Sequence, residues 1–304
     1  MRNPKNFLLL LITALIWGVS FVAQSVGMDY VGPYTFNAVR TLLGGLVLIP
    51  CIFFLGRKNA GTKDTENDSE KLPDRPKDVI LGGFICGFVL FVSTSLQQVG
   101  IMYTTVGKAG FITALYIVLV PILGIFLNRK AGVHVWISVL TALVGLYLLC
   151  MTGKLTIGKG DLLILICSFT FAIHILVVDH FTVIVSGTKL ACIQLFVAGS
   201  FSTVLMFLLE EPNLHNIYMA RIPILYAGIL SCGIAYTLQI IGQRNFDPTI
   251  ASLILSLESV ISVLAGWLIL GQNLTVREIW GCILMFAAII LAQCDPKHLK
   301  ALKK

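Results

Sequence analysis

Ten apolar runs of roughly 17 to 25 residues follow one another along the chain, at about 7–26, 33–55, 79–99, 105–127, 134–151, 161–180, 188–209, 222–242, 248–270 and 275–293. Each is bounded by charge, Gly or Pro. A bilayer core about 30 Å thick takes about 20 helical residues to cross, and in hydrocarbon the backbone must satisfy its own hydrogen bonds. These runs therefore predict an all-α integral membrane protein with ten transmembrane helices.

Composition agrees with this reading against the length. A chain of 304 residues would otherwise suggest about two soluble domains, but 57% of it is hydrophobic and only 12% charged. A soluble domain could not cover that surface. The net charge of +7 would elsewhere raise nucleic acid as a partner. Here the basic residues sit mostly between the apolar runs, as membrane orientation requires, so nucleic acid is excluded. The eight cysteines all lie within or at the end of apolar runs and none is paired in a CxxC, so they are read as small packing residues, with no metal and no cofactor assigned. The first run follows Arg2 and Lys5 and has no A-x-A cleavage pattern after it, so it is read as a span and not as a signal peptide.

Lys and Arg in alternate connections divide sixteen to four in favour of the side that holds the amino terminus. That bias predicts a multi-pass protein of the cell membrane with both termini in the cytoplasm, together with a flexible polar loop over 56–78 and a basic tail over 296–304. If the chain is a duplicated unit of five spans, the second copy runs the opposite way through the membrane, because five is odd. Setting Gly100 on Gly242 brings Ala109 onto Ala251, Leu115 onto Leu257 and Tyr116 onto Glu258 without a gap. The expected organisation is a first five-helix repeat over 1–152 and an inverted second repeat over 153–295.

Ile16-Trp17-Gly18 with Phe21, Phe36 with Arg40, and Gly160-Asp161-Leu162 resemble the starts of EamA domains. Ala251-Ser252-Leu253 through Leu257-Glu258, then Gly266-Trp267-Leu268, Leu270-Gly271, Leu274-Thr275 and Trp280-Gly281, resemble the carboxy-terminal half of drug/metabolite transporters of the EamA type. The resemblance covers essentially the whole chain. Ser259 stands where the family often has Pro, and Gln272 where a second acidic residue often follows. What the resemblance implies is transport or export of a small metabolite, often an amino acid or related compound, through a central cavity.

Ionisable and polar groups at mid-depth are the candidates for carrying transport, since a charge at the bilayer centre costs about 2.5–3.5 kcal/mol on insertion scales. Glu258, about ten residues into its span, is expected to serve as a substrate-amine or proton site, or else as a helix–helix hydrogen bond. Tyr116, its partner in the repeat alignment, offers a donor and an aromatic face to a cation, or is an ordinary buried Tyr. Pro121 removes a backbone donor and should kink the fourth span. Trp17 is either a cavity wall or core packing. Arg40 could hold a substrate carboxylate in its planar fork, but we read it first as structural, snorkelling or locking two helices in an ion pair. His174 could relay protons or satisfy one neighbour. Gln97, Gln98 and Gln239 are placed to line an entrance. The Gly83 and Gly87 spacing is a packing signal, and the sequons at Asn67 and Asn273 carry little information.

No nucleotide-binding loop, nucleophile elbow or HExxH stands in the chain, so neither an ATP-driven pump nor a membrane enzyme is expected. The reading is a secondary active transporter working by alternating access with proton coupling. An importer of a nutrient is the alternative, ahead of a channel or a signalling protein, since no repeated filter stands in the chain. The partners expected are a small-molecule substrate and the lipid bilayer.

Overall fold

The computed structural model describes residues 4–61, 75–129, 132–150, 158–270 and 275–293. The expected tail, both sequons and most of the expected polar loop lie outside these residues. Ten helical crossings follow in order. The first five are α1 (Pro4–Gly27), α2 (Pro33–Gly61), α3 (Pro76–Ile101), a broken fourth made of α4 (Val106–Thr113) and α5 (Tyr116–Phe126), and α6 (Val133–Cys150). Next come α7 (Lys159–Thr182), α8 (Gly187–Leu209) and a short surface helix α9 (Leu214–Met219). The eighth crossing joins α10 (Arg221–Leu225), a π-helical stretch (Tyr226–Ala235) and α11 (Tyr236–Gln243). A broken ninth, α12 (Pro248–Leu255) and α13 (Glu258–Leu270), precedes α14 (Val276–Gln293). Every expected run corresponds to one crossing, and α2 continues past its expected end to Gly61.

Local chemistry starts the helices where they start. Pro4, Pro33, Pro76 and Pro248 each open a helix, where the missing N–H would be an orphan in any case. Asp247 caps α12 by accepting from the N–H groups of Thr249 and Ile250 at 2.8 and 3.2 Å, and Thr105 caps α4 by accepting from Lys108 N–H. The N-terminus of α2 is capped from the other half of the chain: Glu210 accepts from the Tyr34 and Thr35 N–H groups at 2.8 Å each and from the Thr35 hydroxyl at 2.6 Å. A carboxylate there meets the positive end of the helix dipole.

The packing repeats itself with the halves exchanged. α1 packs on α12 and α13 as α7 packs on α4 and α5. α3 lies against α7 as α1 lies against the eighth crossing, and α3 lies against α8 as the π-helical stretch lies against α2. Equivalent crossings meet each other: α2 with α8, the fourth with the ninth through the reciprocal contacts α4 with α13 and α5 with α12, and α6 with α14. This exchange is the contact pattern of a two-fold axis in the membrane plane, as inverted repeats produce. Gly83 and Gly87 let α3 approach α8 closely, since a Cβ at either would run into Ile193 or Val197. The interior is apolar around Ile117, Val120, Leu253, Ile254 and Met285. Phe126, Leu140, Phe207, Leu268 and Ile290 instead point outward and are exposed, which is the surface hydrocarbon solvates.

The fourth and ninth crossings break at corresponding places. Between α4 and α5, Leu115 N–H donates to Ile112 O at 3.2 Å and Ile117 N–H to Ala114 O at 3.0 Å. Between α12 and α13, Leu257 N–H donates to Ile254 O and Ser259 N–H to Ser256 O, both at 3.1 Å. Each pair spans three residues, so each break is one tightened turn of 3₁₀ type. Pro121 stands inside α5, one turn after the break. The matching break in the ninth crossing forms with Val263 at the position corresponding to Pro121.

Candidate functional site

The two breaks face each other. Tyr116 and Glu258 are the first residues after them, stand 142 residues apart in the chain, and are joined by a hydrogen bond of 2.9 Å from the Tyr116 hydroxyl to Glu258 Oε1. Both are buried, at 3% and 4% exposure. Ser259, the residue after Glu258, donates to Gly110 O at 2.8 Å and ties α13 to α4 beside the pair.

A central cavity opens beside this pair, lined by Trp17 and Phe21 of α1, Arg40 of α2, Gln97 of α3, Phe171 of α7, and Ser231, Tyr236 and Gln239 of the eighth crossing. Its volume is about 30 Å³, room for one or two waters and not for a metabolite, so the walls must part before a solute of that size can enter. Trp17 packs against Tyr236 with ring centroids 4.8 Å apart and planes tilted by 60°, and donates through Nε1 to Ser231 O at 3.3 Å. Gln97 and Gln239 sit in the same register as Tyr116 and Glu258, 142 residues apart, and both reach the cavity. Gln97 donates to Thr113 Oγ1 at 3.4 Å, while Gln239 Oε1 has no partner among the described residues.

Three of the expected residues stand elsewhere than supposed or in other company. Gln98 turns away from the cavity and donates to Gln24 O at 3.2 Å. His174 is completely buried behind the wall, 3.3 Å through Nε2 from Gln194 Oε1 and edge-on to Tyr236. Arg40 lines the cavity at 3% exposure. It has neither the ion pair nor the snorkelling reach expected of it: among the described residues the ion pairs are Lys108 with Asp161 and Arg129 with Asp179. Lys108 sits at the start of α4, where its ammonium meets Asp161 at 3.3 Å. Tyr236, Phe171, Ser231 and Thr113 were not singled out in the sequence. A lone aromatic or small hydroxyl in an apolar run has no pattern that separates a cavity wall from a core contact.

An all-helical membrane protein with ten crossings, two inverted halves and a central cavity where the broken helices of both halves meet belongs to the class of inverted-repeat membrane transporters. The chain is a member of the EamA-like transporter family, whose profile matches residues 5–151 and again 158–293. It is similar to an uncharacterized transporter of Archaeoglobus fulgidus, at 31% identity over 287 residues, covering 93% of this chain and 83% of that one. The uncharacterized transporter YoaV of Bacillus subtilis is 23% identical over 94% of this chain and 96% of its own. The uncharacterized inner membrane transporter YedA of Escherichia coli is 23% identical over 91% and 87%. A solved crystal structure superposes with a TM-score of 0.77 over 96% of this chain and 97% of that one, at 18% identity, a likeness of fold alone.

Proposed function

We propose that this chain is a secondary transporter that moves a small metabolite, an amino acid or related compound, out of the cell by alternating access, with Glu258 as the group that exchanges a proton or meets the substrate ammonium. The observation that carries the reading is the Tyr116–Glu258 pair, seated at the two helix breaks beside the central cavity. An ionised carboxyl so placed costs several kcal/mol unless a cation, a proton or a donor network answers it. Tyr116 is the one donor it has among the described residues. The amino-acid class and the outward direction rest on the family resemblance, and the sixteen to four bias of basic residues supports placing the face with the termini in the cytoplasm.

Counterflow in proteoliposomes tests the class. A carrier accelerates entry of labelled solute when unlabelled solute is inside, whereas a channel gives no such stimulation. Glu258→Gln keeps shape and hydrogen bonding while removing the titration. Transport by it that still follows the pH gradient as the native protein does would remove Glu258 from the cycle.

A further inference from the structure

We propose that Arg40 is the residue that recognises a carboxylate on the transported solute. This inference rests on the transporter reading and adds to it the polarity of the site. Arg40 lies seven residues into α2 from Pro33, about 10 Å along the helix at 1.5 Å per residue, so it is inside the span. A buried guanidinium in a membrane protein ordinarily pairs with a carboxylate or reaches water. Arg40 has no carboxylate in ion-pair range among the described residues and is only 3% exposed, so what can answer its charge is the central cavity it lines.

Its donors are divided in a way that leaves the fork free. Nε donates to Asn37 Oδ1 at 3.0 Å, and the guanidinium carbon stands 5.3 Å over the Phe36 ring. Asn37 is itself held by donation to Thr94 O at 3.0 Å. The terminal Nη groups have no acceptor among the described residues. Nor are they among the buried polar atoms sealed without a partner, so they open on the cavity that Arg40 lines. The side chain is thus fixed from α2 and α3 with its bidentate edge presented to the cavity, the geometry that matches a planar carboxylate.

The charge balance of the cavity narrows the ligand. Among the described residues Arg40 is the one Lys or Arg that lines it, and Glu258 the one acid. Lys108 is held by Asp161. One guanidinium answers one negative charge, which favours a monocarboxylate over a phosphate dianion. Tyr236 lines the same cavity as Arg40 and Glu258 and packs tilted against Trp17. A solute with a carboxylate at Arg40, an ammonium at Glu258 and an apolar body against Trp17 and Tyr236 fits that lining.

Metabolite profiling of cells and counterflow in proteoliposomes, comparing the native protein with Arg40→Gln and Arg40→Lys, test this. The solutes moved by the native protein should all carry a carboxylate, and their carboxamide analogues should be rejected. Arg40→Gln should slow their transport more than tenfold, and Arg40→Lys should keep part of the rate. The melting temperature of solute-free Arg40→Gln in detergent should equal or exceed that of the native protein, because an unanswered cation has been removed. A structural arginine gives the opposite sign, so an Arg40→Gln that fails to fold or melts earlier overturns the proposal. Equal transport of acid and carboxamide by the native protein overturns it as well, without need of any variant. A native protein that moves no solute sinks the transporter reading and this inference together. One that moves only solutes without a carboxylate sinks this inference alone.

Discussion

Glu258 and Tyr116 show how far one residue's role follows from the element beneath it. Each is the first residue after a tightened turn, so a single backbone event in each half brings both side chains to the same depth. Removing the phenolic hydroxyl with Tyr116→Phe leaves a buried carboxyl without its donor, which costs about 1–3 kcal/mol for an unpaired buried group. The variant should melt earlier in detergent than the native protein, and its transport should shift in pH dependence while Glu258 remains. An unchanged melting temperature and pH profile would mean that the hydrogen bond does not hold Glu258. His174 makes the contrast. It is as buried as any residue in the chain and bonded to Gln194, but it does not line the cavity. His174→Gln should therefore alter stability before it alters transport, which a melt alongside a counterflow assay would separate.

The ten crossings were legible as elements because a hydrocarbon core demands unbroken apolar length, and their order follows from the charges between them. The breaks at Ala114–Leu115 and Ser256–Leu257 were not. Apolar runs look the same whether or not one turn tightens, and the only visible cue, Pro121, sits in one half. The gapless alignment that places Tyr116 on Glu258 was nonetheless readable, and it superposes the two breaks. Because the ninth crossing breaks with Val263 at the corresponding position, Pro121→Ala should leave the fold intact and change the transport rate less than about twofold. Gly87 is the opposite case, since a side chain there meets Val197 and the Gln194 carbonyl on α8. Gly87→Val should cost about 1–3 kcal/mol through overpacking, seen as lower folded yield and an earlier melt. Arg40 could not be placed from the sequence, since whether it has a carboxylate partner is a property of neighbouring helices.

At the scale of the whole molecule, inversion makes the two faces near-equivalent in packing, so the basic residues outside the spans must carry the orientation. Counted along the sequence in alternate connections, they divide sixteen to four in favour of the side that holds the amino terminus, and reversing the protein would move that excess across the membrane. The exposed residues Asp29 and Asn213 lie on the face opposite the termini, and Arg75 on the face that holds them. The cysteines among the described residues are buried or half-buried, so a new exposed thiol should react ahead of them. With a membrane-impermeant maleimide on intact cells, Asp29→Cys and Asn213→Cys should label at once, and Arg75→Cys only after permeabilisation. The reverse pattern would put the termini outside and overturn the orientation drawn from the basic residues. Labelling of all three in intact cells would break the two-faced topology and with it the inverted arrangement on which the central site depends.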